Sequence, residues 1–238
     1  MTASRGATAA SNFDWQVSKS VVAVFKSVLD LLYPPRCAFC RDFLQKGQTL
    51  CPQCAESLPF CEGLDARQEG DVFSFCVSPL YYEGSVRESH HRYKFQGASA
   101  YARTYAPLVA QCIAAHCAGQ YDLISWVPLS RKRLRKRGYD QAKLLAIAVA
   151  AELNTTAVAT LKKVRNASAQ SGLGGRDERR ANIAGAYELL DSAAVSGKRI
   201  LLIDDIITTG SSLAECAQCL LMADAKEVLC ATLARSTV

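Results

Sequence analysis

The sequence predicts an α/β protein, a parallel β-sheet flanked by helices, with a small cysteine-rich module ahead of it. Beyond residue 120, strand-like and helix-like runs alternate: Leu123 to Val127, Gln141 to Leu153, Val158 to Val164, Arg199 to Ile203, Ser211 to Met222 and Glu227 to Leu233. Such alternation packs as a parallel sheet covered by helices. Within it, Ile200-Leu201-Leu202-Ile203 is apolar at every position, as a strand buried on both faces must be. From Cys37 to Cys61 the chain is instead dense in cysteine and lacks apolar periodicity, so that stretch needs something other than a hydrophobic core.

Composition sets the limits. A chain of 238 residues accommodates one α/β domain and an accessory module, but not two full domains. A hydrophobic fraction of 50% and a mean hydropathy of +0.03 exclude a disordered or membrane-embedded chain. The 11 cysteines are odd in number, so they cannot all pair, and metal ligation in a reducing, cytoplasmic compartment is the expectation. Val21 to Tyr33 is interrupted by Lys26 and Asp30, too short and too charged to insert in a membrane. Without a basic start and an ordered cleavage site it is not a signal peptide either.

Taken in order, residues 1–12 are small and polar, as in a mobile tail. Asn12 or Asp14 caps an amphipathic helix with Val17, Val21, Val24, Val28 and Leu32 at helical spacing, and Pro34-Pro35 stops it. Tail and helix occupy 1–33, the cysteine module 34–70 and the main domain 71–238. In the module, Cys37-x2-Cys40 and Cys51-x2-Cys54 stand ten residues apart. Two such turns close a tetrahedral site for a structural zinc with no open position for catalysis. Cys61 and Cys76 suggest a second site without evident partners, whereas Cys216 and Cys219 lie on an apolar helix and read as core. Val72 to Tyr82 is rich in aromatic and β-branched residues, a strand or hairpin. Helical stretches follow around Val86 to Phe95 and Ser99 to Cys117. His90 and His91 beside Arg92 suggest an exposed helix face. Arg165 to Asn182, rich in glycine and charge, is a long loop of the kind kept for function.

The most informative segment runs from Ile200 to Leu213. Asp204 and Asp205 follow the apolar run, and ligands of open parallel sheets bind beyond the carboxyl ends of strands. Thr208, Thr209, Gly210, Ser211 and Ser212 then offer hydroxyls, a glycine for close approach and the start of a helix, which together suit a phosphate. Ionised carboxylates only accept hydrogen bonds, which suits ribose hydroxyls. The whole resembles the PRPP signature of type I phosphoribosyltransferases. That resemblance implies ribose 2′ and 3′ hydroxyls on Asp204 and Asp205 and the 5-phosphate on Thr208 to Ser212. It also places Val127, Pro128, Leu129 and Ser130 against the pyrophosphate. Directly after them, Arg131, Lys132, Arg133, Arg135, Lys136 and Arg137 put six cations into seven positions of a chain with net charge +6. Such a run meets phosphates, including those of nucleic acid, or forms a solvated helix start.

The order of these features resembles the ComF family, associated with DNA uptake in bacterial competence, from about Leu32 to Leu233. Carrying it are the paired Cys-x2-Cys turns, Arg92-Tyr93-Lys94-Phe95, Val127-Pro128-Leu129, Arg137-Gly138-Tyr139-Asp140-Gln141-Ala142, Gln170 with Arg179 and Asn182, and the PRPP signature. It implies structural zinc, PRPP bound with magnesium, and a ligand pocket completed by Lys94, Arg137, Gln170 and Arg179. It also implies a role with incoming single-stranded DNA beside protein partners of the uptake machinery. The alternative is an active transferase that moves phosphoribose to an acceptor with loss of pyrophosphate; a third is a PRPP sensor acting through a partner. One departure stands out: Tyr139-Asp140 replaces the commoner Phe-Asn, and a carboxylate there is expected to repel pyrophosphate unless magnesium or Arg137 intervenes.

Overall fold

The computed structural model describes residues 35–45, 47–164 and 186–237. The expected tail and first helix, and Gln170, Arg179 and Asn182, lie outside them. The described elements are α1 (Pro52–Ser57), a 3-10 turn (Gly63–Ala66), β1 (Arg67–Glu69), β2 (Phe75–Val77), β3 (Leu80–Tyr81), α2 (Gly84–Phe95), α3 (Tyr101–His116), β4 (Leu123–Trp126), α4 (Arg131–Arg137), α5 (Gln141–Glu152), β5 (Leu161–Lys163), β6 (Tyr187–Leu189), β7 (Arg199–Ile207), α6 (Ser211–Leu221) and β8 (Glu227–Arg235).

The main sheet runs β1-β2-β8-β7-β4, with β3 also on β8. Only β1 is antiparallel to its neighbour. β7 lies inside the sheet between β8 and β4, and its side chains alternate as a period-2 strand requires. Leu201 and Ile203 enter one core with Tyr93, Tyr105, Ile113 and Leu145 of α2, α3 and α5. Ile200 and Leu202 enter the other with Leu213, Cys216 and Leu220 of α6. The four-residue apolar run therefore serves two layers at once.

Three elements differ from the sequence expectation. Val72 to Tyr82, expected as a strand or hairpin, is two short strands of one direction: β2 and β3 follow one another along the same edge of β8, with Cys76 opposite Cys230 and Leu80 opposite Ala234. Pro79, lacking an N–H to donate, interrupts them. Val158 to Val164 adds no strand to the main sheet: Ala157 bridges to Ile124, the Val158 N–H bonds the Ile124 carbonyl at 2.9 Å, and the Thr160 hydroxyl meets that of Ser125 at 2.7 Å. It then peels away, and β5 pairs antiparallel with β6 as a separate two-stranded sheet. Finally, β7 does not end before the carboxylates but continues to Ile207.

That last difference builds the site. β8 accompanies β7 from Arg199 to Ile207, whereas β4 pairs only with Ile200 to Ile203. From Asp204 onward β7 has a neighbour on one side alone, and the side vacated by β4 is a crevice.

Candidate functional site

Both carboxylates sit at this crevice. Asp204 Oδ1 accepts the Asp205 N–H at 2.8 Å and Asp205 Oδ1 accepts the Ile206 N–H at 2.9 Å, so the backbone orients each. Gly210 then turns the chain at φ +71°, a left-handed conformation that glycine adopts without strain, and α6 begins with no side chain capping its first turn. Thr208 and Ser212 face a cavity of about 260 Å³ between this turn, α2, the Val127–Leu129 loop and α4.

Helix α2 crosses the cavity's other wall. His90, expected on an exposed face, is only 3% exposed. Its Nε2 lies 3.0 Å from Asp205 Oδ2 and its Nδ1 3.1 Å from the Tyr82 hydroxyl. Lys94, one turn on, brings its ammonium to 3.6 Å from the same Asp205 oxygen. Burial alone raises a carboxyl's pKa. At Asp205 it is outweighed by the His90 hydrogen bond and the His90 and Lys94 charges, which hold the group well below the usual carboxylate range. Asp204, pushed up by burial and by the charge of Asp205, lies well above it. The two carboxyls are thus unlike: Asp205 is held as an acceptor, and Asp204 takes up a proton more readily than a free carboxyl.

The basic run folds as α4, capped where Ser130 Oγ accepts the Arg133 N–H at 3.4 Å, and the tertiary structure divides it. Arg133 and Arg137, one turn apart, line the cavity with Lys163 of β5. Arg131 and Lys132 line a second cavity of about 430 Å³ with Ser130, Lys162 and Lys163. Arg135 and Lys136 are exposed and border neither. Thr209, Gly210 and Ser211 likewise do not line the cavity; the Thr209 and Ser211 hydroxyls bond one another at 2.8 Å. Asp140 does not face the cavity as a bare charge. Its Oδ2 accepts the Leu129 N–H at 2.8 Å and its Oδ1 the Lys143 N–H at 3.1 Å. It thereby caps α5 and ties down the Val127–Ser130 loop, and the expected repulsion is answered by backbone dipoles. Burial raises its pKa, against the pull of those two N–H groups.

One arrangement has no trace in the local sequence. Phe95, 57% exposed, packs against the tilted ring of His91 at 5.0 Å between centroids, with the Arg137 guanidinium 5.1 Å from its own ring centroid. This sets an aromatic face beside a basic helix that carries no aromatic residue of its own.

In the N-terminal module the sulfurs of Cys37, Cys40, Cys51 and Cys54 all lie within 4.8 Å of one another. Zinc–sulfur bonds of about 2.3 Å in a tetrahedron put sulfurs about 3.8 Å apart, so this set fits zinc. Cys54 is pushed up by burial and by its three thiol neighbours, crowding that a divalent cation relieves. At Cys37 burial is outweighed by backbone N–H groups, chiefly those of Cys51 and Cys40, which bring the thiol down to about 7. Among the described residues this is the only such cluster. Cys76 is buried in β2, and burial raises Cys61 to about 12. The module docks on α2. The Ala38 carbonyl accepts from Ser89 Oγ at 2.6 Å and from Arg92 Nη2 at 3.0 Å, and Arg92 Nη2 also donates to Phe39 O at 2.7 Å. One helix therefore holds the module with Ser89 and Arg92 and the cavity with His90 and Lys94.

Comparison with known proteins agrees with these two parts. Residues 28–71 match the model of the double zinc ribbon domain and residues 139–237 that of the phosphoribosyl transferase domain. The DNA utilization protein YhgH of Salmonella typhimurium is 32% identical over 211 residues, 83% of this chain and 90% of that protein. Competence protein F of Haemophilus influenzae is 29% identical over 208 residues, 85% of each chain. Among solved structures, glutamine PRPP amidotransferase from B. subtilis aligns with a TM-score of 0.37 and 19% identity over 54% of this chain and 25% of that one, too loose a likeness to add to the topology. No helix among the described residues is long and apolar enough to cross a membrane.

Proposed function

Starting from a chain that belongs to the ComF family, with YhgH and competence protein F among its relatives, we propose that it binds PRPP, with magnesium, in the Asp204–Asp205 cavity. We further propose a cytoplasmic role in handling incoming single-stranded DNA during competence, in contact with proteins of the uptake machinery. The observation that carries the ligand is a pairing of opposite demands within one cavity. At its floor lies an oriented carboxylate, and around it stand Arg133, Arg137 and Lys163, none ion-paired with a carboxylate among the described residues. A hydroxylated sugar bearing phosphates meets both demands; a simple polyanion meets only the second. Lys94, Val127, Pro128, Leu129, Thr208 and Ser212 complete the wall.

Whether phosphoribose is also transferred is a second reading, favoured by the match to the phosphoribosyl transferase domain. Incubation with PRPP, magnesium and a panel of bases separates the two: pyrophosphate release above the rate without base establishes transfer, and its absence with saturable PRPP binding leaves a binding protein.

The DNA role rests on α4. If about four of its cations contact single-stranded phosphates, log affinity falls with log salt at about −2.8, so raising salt from about 50 to 200 mM weakens binding about 50-fold. Arg135 and Lys136 are the informative pair because they border neither cavity. Replacing both with alanine is expected to flatten the slope by about 1.4 and leave PRPP affinity unchanged. A fluorescent oligonucleotide showing the parent's slope with the double variant counts against α4 as the contact surface.

A further inference from the structure

We propose that His90 determines ligand specificity: by holding Asp205 as a fixed hydrogen-bond acceptor, it makes the cavity select a 5-phosphorylated ribose over its deoxy counterparts. The inference rests on the reading of the cavity as a phosphoribosyl site and adds a residue that the PRPP signature does not contain.

The argument begins with lone pairs. A carboxylate has about four acceptor positions on its two oxygens. On Asp205 one is taken by the Ile206 N–H at 2.9 Å and one by His90 at 3.0 Å. Lys94, at 3.6 Å, is an ionic neighbour rather than a hydrogen-bond donor. The remaining positions are open to hydroxyls in the cavity. An ionised carboxylate has no proton to give, so His90 must carry its hydrogen on Nε2. Nδ1 then meets the Tyr82 hydroxyl, which donates to it when the ring is neutral and accepts from it when the ring is charged. In both states Nε2 donates to Asp205, and Tyr82 with the burial of the ring keeps that bond in one direction.

Without His90 the balance changes. Asp204 and Asp205 are adjacent and enclosed, and two carboxyls sharing such a site do not both stay ionised at low cost. Asp205 would keep Lys94 at 3.6 Å, on a long side chain that fixes no direction, with Arg137 and Asp140 as further charged groups of the cavity wall. A carboxyl that takes up a proton still bonds a ribose hydroxyl but without charge assistance, so the hydroxyl gains less over a C–H. The 5-phosphate, by contrast, depends on the α6 turn, Arg133, Arg137 and Lys163, none of which touches His90. Loss of His90 should therefore reduce the preference for hydroxyls and spare the grip on phosphate. DNA has no 2′-hydroxyl, so its 5′ end is disfavoured in the cavity while His90 is in place.

The test measures a ratio. Ribose 5-phosphate and its 2-deoxy and 3-deoxy analogues are titrated as competitors of bound PRPP with the full-length zinc-loaded protein and its His90→Phe and His90→Gln variants. The parent should prefer ribose 5-phosphate over at least one analogue by about 10-fold or more, the range of a hydrogen bond to a charged group. His90→Phe should bring that preference to within about 3-fold by weakening ribose 5-phosphate alone, the analogues keeping their parental affinity. Glutamine places an N–H where Nε2 stands, so His90→Gln should restore the preference to near the parent's value. A His90→Phe variant that keeps the parental ratio, or that loses all three ligands equally, overturns the specificity role. If the parent itself does not bind PRPP, the reading of the cavity fails first, and the inference with it.

Discussion

Replacing Cys54 with serine is expected to give protein with little bound zinc, poor solubility and a weakened fold, where the parent is expected to hold one zinc per chain. Among the described residues, the buried side chains of the module are small or few: Cys37, Ala38, Phe39, Cys51, Cys54, Leu58 and Ala66. That is too little apolar surface to order the segment against its conformational entropy. Structural zinc contributes about 10–16 kcal/mol to such modules, comparable to the whole stability of a typical domain. The damage does not stop at the module. The Ala38 and Phe39 carbonyls are the acceptors for Ser89 and Arg92, and unpaired buried donors cost about 1–3 kcal/mol each. Cys40→Ser should behave alike. Metal analysis together with circular dichroism decides the matter: a soluble, folded Cys54→Ser protein with a full equivalent of zinc shows that the ligands are wrong.

The second large effect is on the ligand. Asp205→Asn should weaken PRPP by roughly 10- to 150-fold, the loss of about 1.5–3 kcal/mol for a hydrogen bond to a charged acceptor. The structure places this expectation toward its upper end. The substituted amide can keep only one oxygen. If that oxygen serves the Ile206 N–H, the NH2 group points at the Nε2–H of His90 and the ammonium of Lys94, donor against donor. Thr209→Val should cost much less, since the Thr209 hydroxyl is engaged with Ser211 and does not line the cavity. Calorimetry with magnesium present that finds equal affinity for parent and Asp205→Asn removes Asp205 from the ribose site.

Legibility followed the range of the interactions. The limits of α2, α5, α6 and β8 lie within two residues of the helix-like and strand-like runs of the sequence, because apolar patterning is a local property. The cysteine pairs and the Asp-Asp-x-x-Thr-Thr-Gly turn were equally readable, since each packs its chemistry into a few consecutive residues. The division of the basic run was not: whether Arg133 or Lys136 meets a ligand depends on which side of one short helix faces α2 and β5. Asp140 looked like an unwanted charge because its partner, the Leu129 N–H, comes from a neighbouring loop.

By itself, then, the sequence determined the α/β order, the cysteine cluster that fits zinc, and the carboxylate pair with the Thr-Thr-Gly turn after it. Only the tertiary structure decided what surrounds that pair. β4 stops short and opens the crevice, α2 crosses it, and His90 comes to bond a carboxylate 115 residues further along the chain. The physical reason is that a side chain's burial and partners are set by packing between elements. Two histidines adjacent in sequence therefore end on opposite terms, His91 exposed and His90 buried against Asp205.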